Sequence, residues 1–314
     1  MKSNGLNFKI TKPHNHDMTE KVPHKSGFVN IIGNPNVGKS TLMNNLVGER
    51  ISIITSKSQT TRHRIKGIVN GDDFQIVYSD TPGVLKPNYK LQESMMKYST
   101  SALVDADIIL YVTDVVETID KNEEFLKKVQ GATVPVLLIL NKIDLTDQAK
   151  LLKLYDRWKE KIPQAEIFPM SAKENFNVEN LFNRILELLP EGPPYFAKDE
   201  VTDLPARFFV TEIIREKVLI NYDKEVPYSV EVEVEEYKEE PKIIRIMAVI
   251  NVERTSQKGI IIGHKGAALK KVGTDARKDI EAFFGKKVFL QLYVKVAKDW
   301  RSKDSQLKGF GYQQ

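Results

Sequence analysis

Residues 33–41 read GNPNVGKST, a glycine-rich run that ends in Gly-Lys-Ser. The spacing GxxxxGK[ST] is that of a loop that wraps its backbone around phosphate. Gly33 and Gly38 permit the tight turn, and the backbone of Asn34, Pro35, Asn36 and Val37 lines the cradle. Lys39 supplies positive charge between terminal phosphates, and the Ser40 hydroxyl is a magnesium ligand. Thr41 leads into a helix whose dipole adds favourable potential. The run stands between the apolar FVNII and the helical pattern STLMNNLVG, the strand–loop–helix context this chemistry requires.

Three more short motifs follow in order. Asp80-Thr81-Pro82-Gly83 ends the apolar run FQIVYS; Asp80 is placed to hold magnesium through water, and the Gly83 amide to sense a γ-phosphate. Asn141-Lys142-Ile143-Asp144 ends VPVLLIL. The Asp144 carboxylate can accept from the ring N–H and the exocyclic amine of guanine, and adenine offers neither in that pattern. Asn141 braces the site and the Lys142 stem lies along the base. Ser171-Ala172-Lys173 ends EIFPM, where the Ala172 amide can reach the guanine oxygen. Each motif alone is weak evidence; four in sequence, each at a strand end, predict a Mg²⁺-dependent hydrolase of GTP. Between the first two lies SKSQTTRHR (56–64), where a threonine can join the magnesium shell only while the γ-phosphate is present. Thr60 and Thr61 both fit, and Thr61, beside Arg62, is preferred.

The residue after the DTPG motif is Val84, where Ras-like enzymes place a water-orienting glutamine. Valine can neither donate nor accept, so hydrolysis is slow or water is positioned from elsewhere. Asn36 offers one route, through a bound potassium ion that adds positive charge at the β- and γ-phosphates; the alternative is that Asn36 only braces its loop.

The C-terminal quarter carries a different chemistry. Residues 241–314 hold 16 Lys/Arg against 6 Asp/Glu, whereas 199–240 hold 5 against 13. Within the basic part, Gly263-His264-Lys265-Gly266 follows three isoleucines and precedes a helix. Its two glycines permit close approach of a sugar–phosphate backbone, as in the loop of a KH domain that clamps single-stranded nucleic acid. Lys265 adds charge, with Lys258, Gly259, Lys270 and Lys271 nearby. The EVEVE run reads as a solvated sheet face, and Phe208, Phe209, Phe283 and Phe284 as core.

These residues need a scaffold. From 28 to 189 short apolar runs alternate with helical periodicity, which predicts an α/β domain with a mostly parallel sheet. After a proline-rich break the order becomes helix–strand–strand–helix–helix–strand, a small α+β domain of type II KH layout. The expected boundaries are a flexible extension over 1–24, the nucleotide domain over 25–190, a linker over 191–203, the KH domain over 204–300 and a tail over 301–314. His14, His16 and His24 imitate a metal site, but a flexible extension is the simpler reading. No cysteine is present, which excludes disulfides and thiolate sites and suits a reducing compartment. No apolar run is long enough to cross a bilayer, so a cytoplasmic protein is expected.

The full set GNPNVGKS, QTTRHR, DTPG, NKID, SAK, VERTSQKGIIIGHKG and YVKVAKDWR closely resembles the Era family of bacterial GTPases over about residues 25–314. The resemblance implies a ribosome-assembly factor that binds small-subunit ribosomal RNA near its 3′ end through the KH domain, coupled to GTP, and acts on the small ribosomal subunit; a monomer is expected. It also implies weak peripheral association with the inner membrane. Two other readings stay open: a signalling GTPase whose C-terminal domain binds protein, and a constitutive RNA-binding protein with vestigial hydrolysis.

Overall fold

The computed structural model describes residues 23–119 and 121–312; most of the N-terminal extension, with His14 and His16, lies outside the described residues. Two compact units emerge. Among the described residues, the first comprises 23–52, 64–84 and 99–203; the second comprises 53–63, 85–98 and 204–312.

The first unit is built on a six-stranded sheet of β1 (Lys25–Gly33), β2 (Ile65–Asn70), β3 (Phe74–Asp80), β4 (Ile108–Asp114), β5 (Val136–Asn141) and β6 (Glu166–Pro169), in the order β2-β3-β1-β4-β5-β6. All neighbours run parallel except β2 and β3. Its helices are α1 (Lys39–Val47), the C-terminal part of α2 (Lys90–Val104), α3 (Glu123–Gln130), α4 (Gln148–Lys161) and α5 (Val178–Leu188). β4 and β5 are buried along their whole length, as strands covered on both sides must be. The runs FVNII, FQIVYS, VPVLLIL and EIFPM form the strands that periodicity predicts. The antiparallel β2, IKGIVN, is the one that periodicity overlooks, because Lys66 and Gly67 interrupt its apolar pattern. A side chain at Gly67 would meet those of Ile51, Val47 and Met43 within 2.8 Å, so close packing selects glycine here.

The expected linker is pinned to this unit. Gln75 Oε1 accepts from the Tyr195 and Phe196 amides, Ser26 Oγ donates to Pro193 O, and Ile68 N–H donates to Val201 O. His24 meets the Gly192 carbonyl at 2.8 Å through Nδ1. Among the described residues there is no cluster of three or more His, Asp or Glu that could hold a metal, and no helix long and apolar enough to cross a membrane.

The second unit carries a three-stranded sheet, β7 (Glu231–Glu239), β8 (Ile243–Val252) and β9 (Lys287–Val296), with β8 antiparallel to β7 and parallel to β9. With α6 (Ala206–Asn221), α7 (Thr255–Ile262) and α8 (Ala267–Phe284), the chain order is α6-β7-β8-α7-α8-β9, the predicted type II KH order. Val210, Ile214, Ile246, Ile250, Val272 and Ile280 anchor its core. A short α9 (Asp304–Gly309) follows, and Trp300, Leu307 and Tyr312 pack with Leu91 and Met95 in a separate apolar cluster.

Two expectations are corrected here. Glu231, the first residue of β7, is buried rather than solvated, because it lies against the Arg62 guanidinium. Phe283 is 39% exposed rather than core, stacked against the buried Phe209 with ring centres 5.1 Å apart.

Candidate nucleotide and nucleic-acid sites

In the first unit, the motifs all sit where parallel strands end, at the edge where α/β sheets bind ligands. β1 ends at Gly33, β3 at Asp80, β5 at Asn141, and Ser171 follows β6. Pairing of Ile31 with Asp80, Gly33 with Val112 and Asp114 with Asn141 brings these ends into one row. A Cβ at Gly33 would lie 2.0 Å from the Val112 carbonyl oxygen and one at Gly38 2.2 Å from Asn141 Nδ2, so both glycines are required by close approach. A Cβ at Gly83 would meet Pro35, so the DTPG turn is held against the phosphate loop.

Lys39 is buried and its ammonium donates to Asn34 O at 2.7 Å. Burial pushes its pKa down to about 8, against the opposing pull of Asp80 and Glu117. Ser40 Oγ donates to Asp80 Oδ2 at 2.6 Å. The hydroxyl assigned to magnesium and the carboxylate assigned to its water shell thus lie side by side. Thr81 Oγ1 donates to Ile31 O, and Pro82 O accepts from Ser99. Asn36 is exposed at a left-handed φ of 65°.

The base-recognition motifs are interlocked. Asn141 Nδ2 donates to Val37 O at 2.8 Å, and Lys142 Nζ donates to Asn36 O at 2.6 Å, so the NKID motif holds the phosphate loop directly. Ser171 Oγ donates to Asp144 Oδ1 at 2.6 Å, which orients that exposed carboxylate. The Ala172 amide donates to Asn141 Oδ1 at 2.9 Å, so a guanine oxygen would share that N–H. Lys173 is exposed and pairs with Glu174. Sequence reasoning missed Asp114, whose carboxylate lies 2.6 Å from Lys142 Nζ, and Asn45, which donates to Ala172 O. Asp114 had a usable signal: it too closes a parallel strand.

Thr60 and Thr61 belong to the second unit. Thr60 Oγ1 donates to Lys57 O and meets Thr55 Oγ1, while its carbonyl accepts from the Arg215 guanidinium of α6. Thr61 is buried. Next to it, Arg62 donates to Val230 O at 2.7 Å and to Glu231 Oε2 at 3.1 Å. Tyr312 Oη donates to the same carboxylate oxygen at 2.6 Å. Burial raises the Glu231 pKa, opposed by Arg62.

The GHKG loop joins α7 to α8. Gly263, Lys265 and Gly266 all have positive φ, of 71°, 48° and 79°. A Cβ on Gly263 would be 2.6 Å from that of Ala268, whereas nothing lies within 4 Å of one on Gly266. His264 and Lys265 are exposed, as are Gly259, Lys270 and Lys271; Lys258 is half-buried. Lys271 donates to Asn221 Oδ1 on α6.

A strand–phosphate loop–helix with base-recognition motifs, followed by a six-element unit with a GxxG loop, defines a P-loop GTPase joined to a KH domain. Comparison with known proteins agrees: residues 28–142 match the family model described as "50S ribosome-binding GTPase", and 225–301 match that of the KH domain. GTPase Era of Staphylococcus haemolyticus (strain JCSC1435) is 44% identical over 297 residues, covering 94% of this chain and 98% of that protein. GTPase Era of Alkaliphilus metalliredigens (strain QYMF) is 45% identical over 293 residues, 92% and 99% of the two chains. A crystal structure of Era in complex with MgGDPNP and nucleotides 1506–1542 of 16S ribosomal RNA superposes with a TM-score of 0.89 at 40% identity, covering 93% of this chain and 100% of that one. A point variant of Aquifex aeolicus Era bound to GDP·AlF4⁻ gives the same TM-score and identity, over 92% and 100%. The chain belongs to the Era family of GTPases.

Proposed function

We propose that this protein is a GTP-controlled RNA-binding switch in the assembly of the small ribosomal subunit, with the 3′ end of 16S ribosomal RNA as the ligand of its KH unit. The similar Era bound to MgGDPNP and 16S RNA supports the choice of RNA and of magnesium. The family model described by the large subunit ends at residue 142, short of the KH unit, so it does not bear on which RNA that unit binds. Magnesium bound at Ser40 and Asp80 would neutralise charge on the β- and γ-phosphates. Lys39 adds a second cation there, Asp144 selects guanine, and His264 and Lys265 face the RNA backbone between two glycines.

One observation carries the switch: the segment with Thr60 and Thr61 is bonded into the KH-bearing unit through Arg215, Arg62 and Glu231. The stretch that answers to a γ-phosphate is therefore part of the RNA-binding unit's own bonding network. Linkage then requires RNA to tighten GTP binding by the factor with which GTP tightens RNA binding. Measuring RNA affinity with a GTP analogue and with GDP tests this, and equal affinities would remove the switch. We extend the reading to a potassium ion at the exposed Asn36. Hydrolysis should be faster in potassium than in sodium, and equal rates would withdraw the ion.

A further inference from the structure

Asn122 stands at the N-cap of α3, where an asparagine ordinarily accepts from the first free amides of its helix. Its side chain makes no such bond. Instead Nδ2 donates to Asn34 Oδ1 in the phosphate loop and, at 3.2 Å, to the carbonyl of Val84. Asn34 is buried and held on its other side, where Nδ2 donates to Glu117 Oε2 at 2.8 Å. The second Glu117 oxygen accepts from Thr113 Oγ1 at 2.7 Å. Asp114 Oδ1 accepts the amides of Val116 and Glu117, which fixes the turn that presents this carboxylate. The Asn34 carbonyl in turn receives Lys39 Nζ.

The consequence concerns hydrolysis. Position 84 has an apolar side chain, so nothing there can orient water in the manner of a glutamine. The polar groups at that position are in the main chain; with the N–H given to Gly33 O, the carbonyl, which has a second lone pair, is the group left to meet water, and it acts only as well as the backbone is placed. Two bonds place it: the Val84 amide donates to Gly33 O at 3.0 Å, and its carbonyl accepts from Asn122. The first ends in the phosphate loop, and so does the second, through Asn34.

We propose that Asn122 is a positioning residue for GTP hydrolysis, holding the Val84 main chain in register with the phosphate loop so that water and γ-phosphate meet in line without a glutamine. It acts through Asn34 and Val84, not on the substrate.

Asn122→Ser keeps a capping oxygen for α3 but removes the amide donor, and Asn122→Asp does the same with a charge. The full chain would be assayed for kcat, for affinity to GDP alone, for affinity to GDP with aluminium fluoride as a transition-state mimic, and for thermal unfolding without nucleotide. The proposal expects kcat and aluminium fluoride-dependent affinity to fall together, on the order of tenfold or more, with GDP affinity and unfolding temperature unchanged in at least one of the two variants. Wild-type kcat in a folded variant overturns it. So does a parallel fall in GDP affinity in both variants, since Asn122 would then merely support the phosphate loop.

Discussion

Arg62 Nη1 and Glu231 Oε2 lie 3.1 Å apart with side chains 0% and 8% exposed, and Tyr312 Oη donates to the same carboxylate oxygen. A charge in such a place is tolerated because its partner is there. Removing one partner of a buried pair costs about 3–5 kcal/mol, whereas replacing both with apolar residues of similar size is nearly neutral. Glu231→Ala should therefore destabilise the KH-bearing unit by about that amount, and R62M/E231L by much less. The two tryptophans are Trp158 in the first unit and Trp300 in the second, so Trp300 fluorescence in a W158F background during urea unfolding reads the right unit. Equal losses in the single and double variants would show that the pair is not the cause.

The two glycines of the GHKG loop should separate folding from binding. Gly263→Ala meets Ala268 and a positive φ, so it should cost stability by about 2 kcal/mol or more. Gly266→Ala faces open space and carries only the backbone strain of its φ, about 1 kcal/mol. G266A should fold and yet lose RNA affinity, because its methyl projects where the sugar–phosphate would approach. Thermal unfolding alongside RNA titration checks both halves.

Nucleotide binding should take up a proton at alkaline pH. The buried Lys39 ammonium, lowered to about 8, is charged below that pH and loses its proton above it. Diphosphate favours the charged form, so binding restores the proton. Calorimetry of GDP binding in buffers of different ionisation enthalpy should find uptake approaching one proton at pH 9 and almost none at pH 6.5. No uptake at pH 9 would mean that the lysine stays charged in the free protein.

Asp144→Asn should change which base is accepted. The carboxylate, oriented by Ser171, offers two acceptors to guanine; an amide turns one into a donor, which suits a 2-oxo group instead. GTP affinity should fall by about a hundredfold or more and xanthosine triphosphate should be gained. Competition against a fluorescent GDP analogue measures both.

Much of this was legible in the residues because local spacing encodes local geometry. GNPNVGKST, DTPG, NKID and SAK each close a strand, so periodicity alone places them on one edge. GHKG between two helical patterns placed the second site. The buried charges were not legible. Glu212, Arg215, Glu216 and Lys217 lie in α6 and Glu231 in the alternating EVEVE run; all five are buried, Glu231 against the distant Arg62, Glu212 against Arg215, and Glu216 against Lys217, which also bonds Asp279. Residues 53–63 belong to the KH-bearing unit, and the bonds from Arg62 to Glu231 and from Arg215 to the Thr60 carbonyl join positions more than 150 residues apart. Asn122 was invisible for a related reason: as an N-cap it needs no further account until its side chain is seen bonded elsewhere.

The most direct test is the affinity for a short RNA copying the 3′ tail of 16S ribosomal RNA, measured with a non-hydrolysable GTP analogue and with GDP, in wild type and in H264D/K265D. Tight binding that weakens with GDP and collapses in the double variant is the expected result. Binding that is weak throughout, or indifferent to both nucleotide and loop, would contradict a GTP-controlled RNA grip.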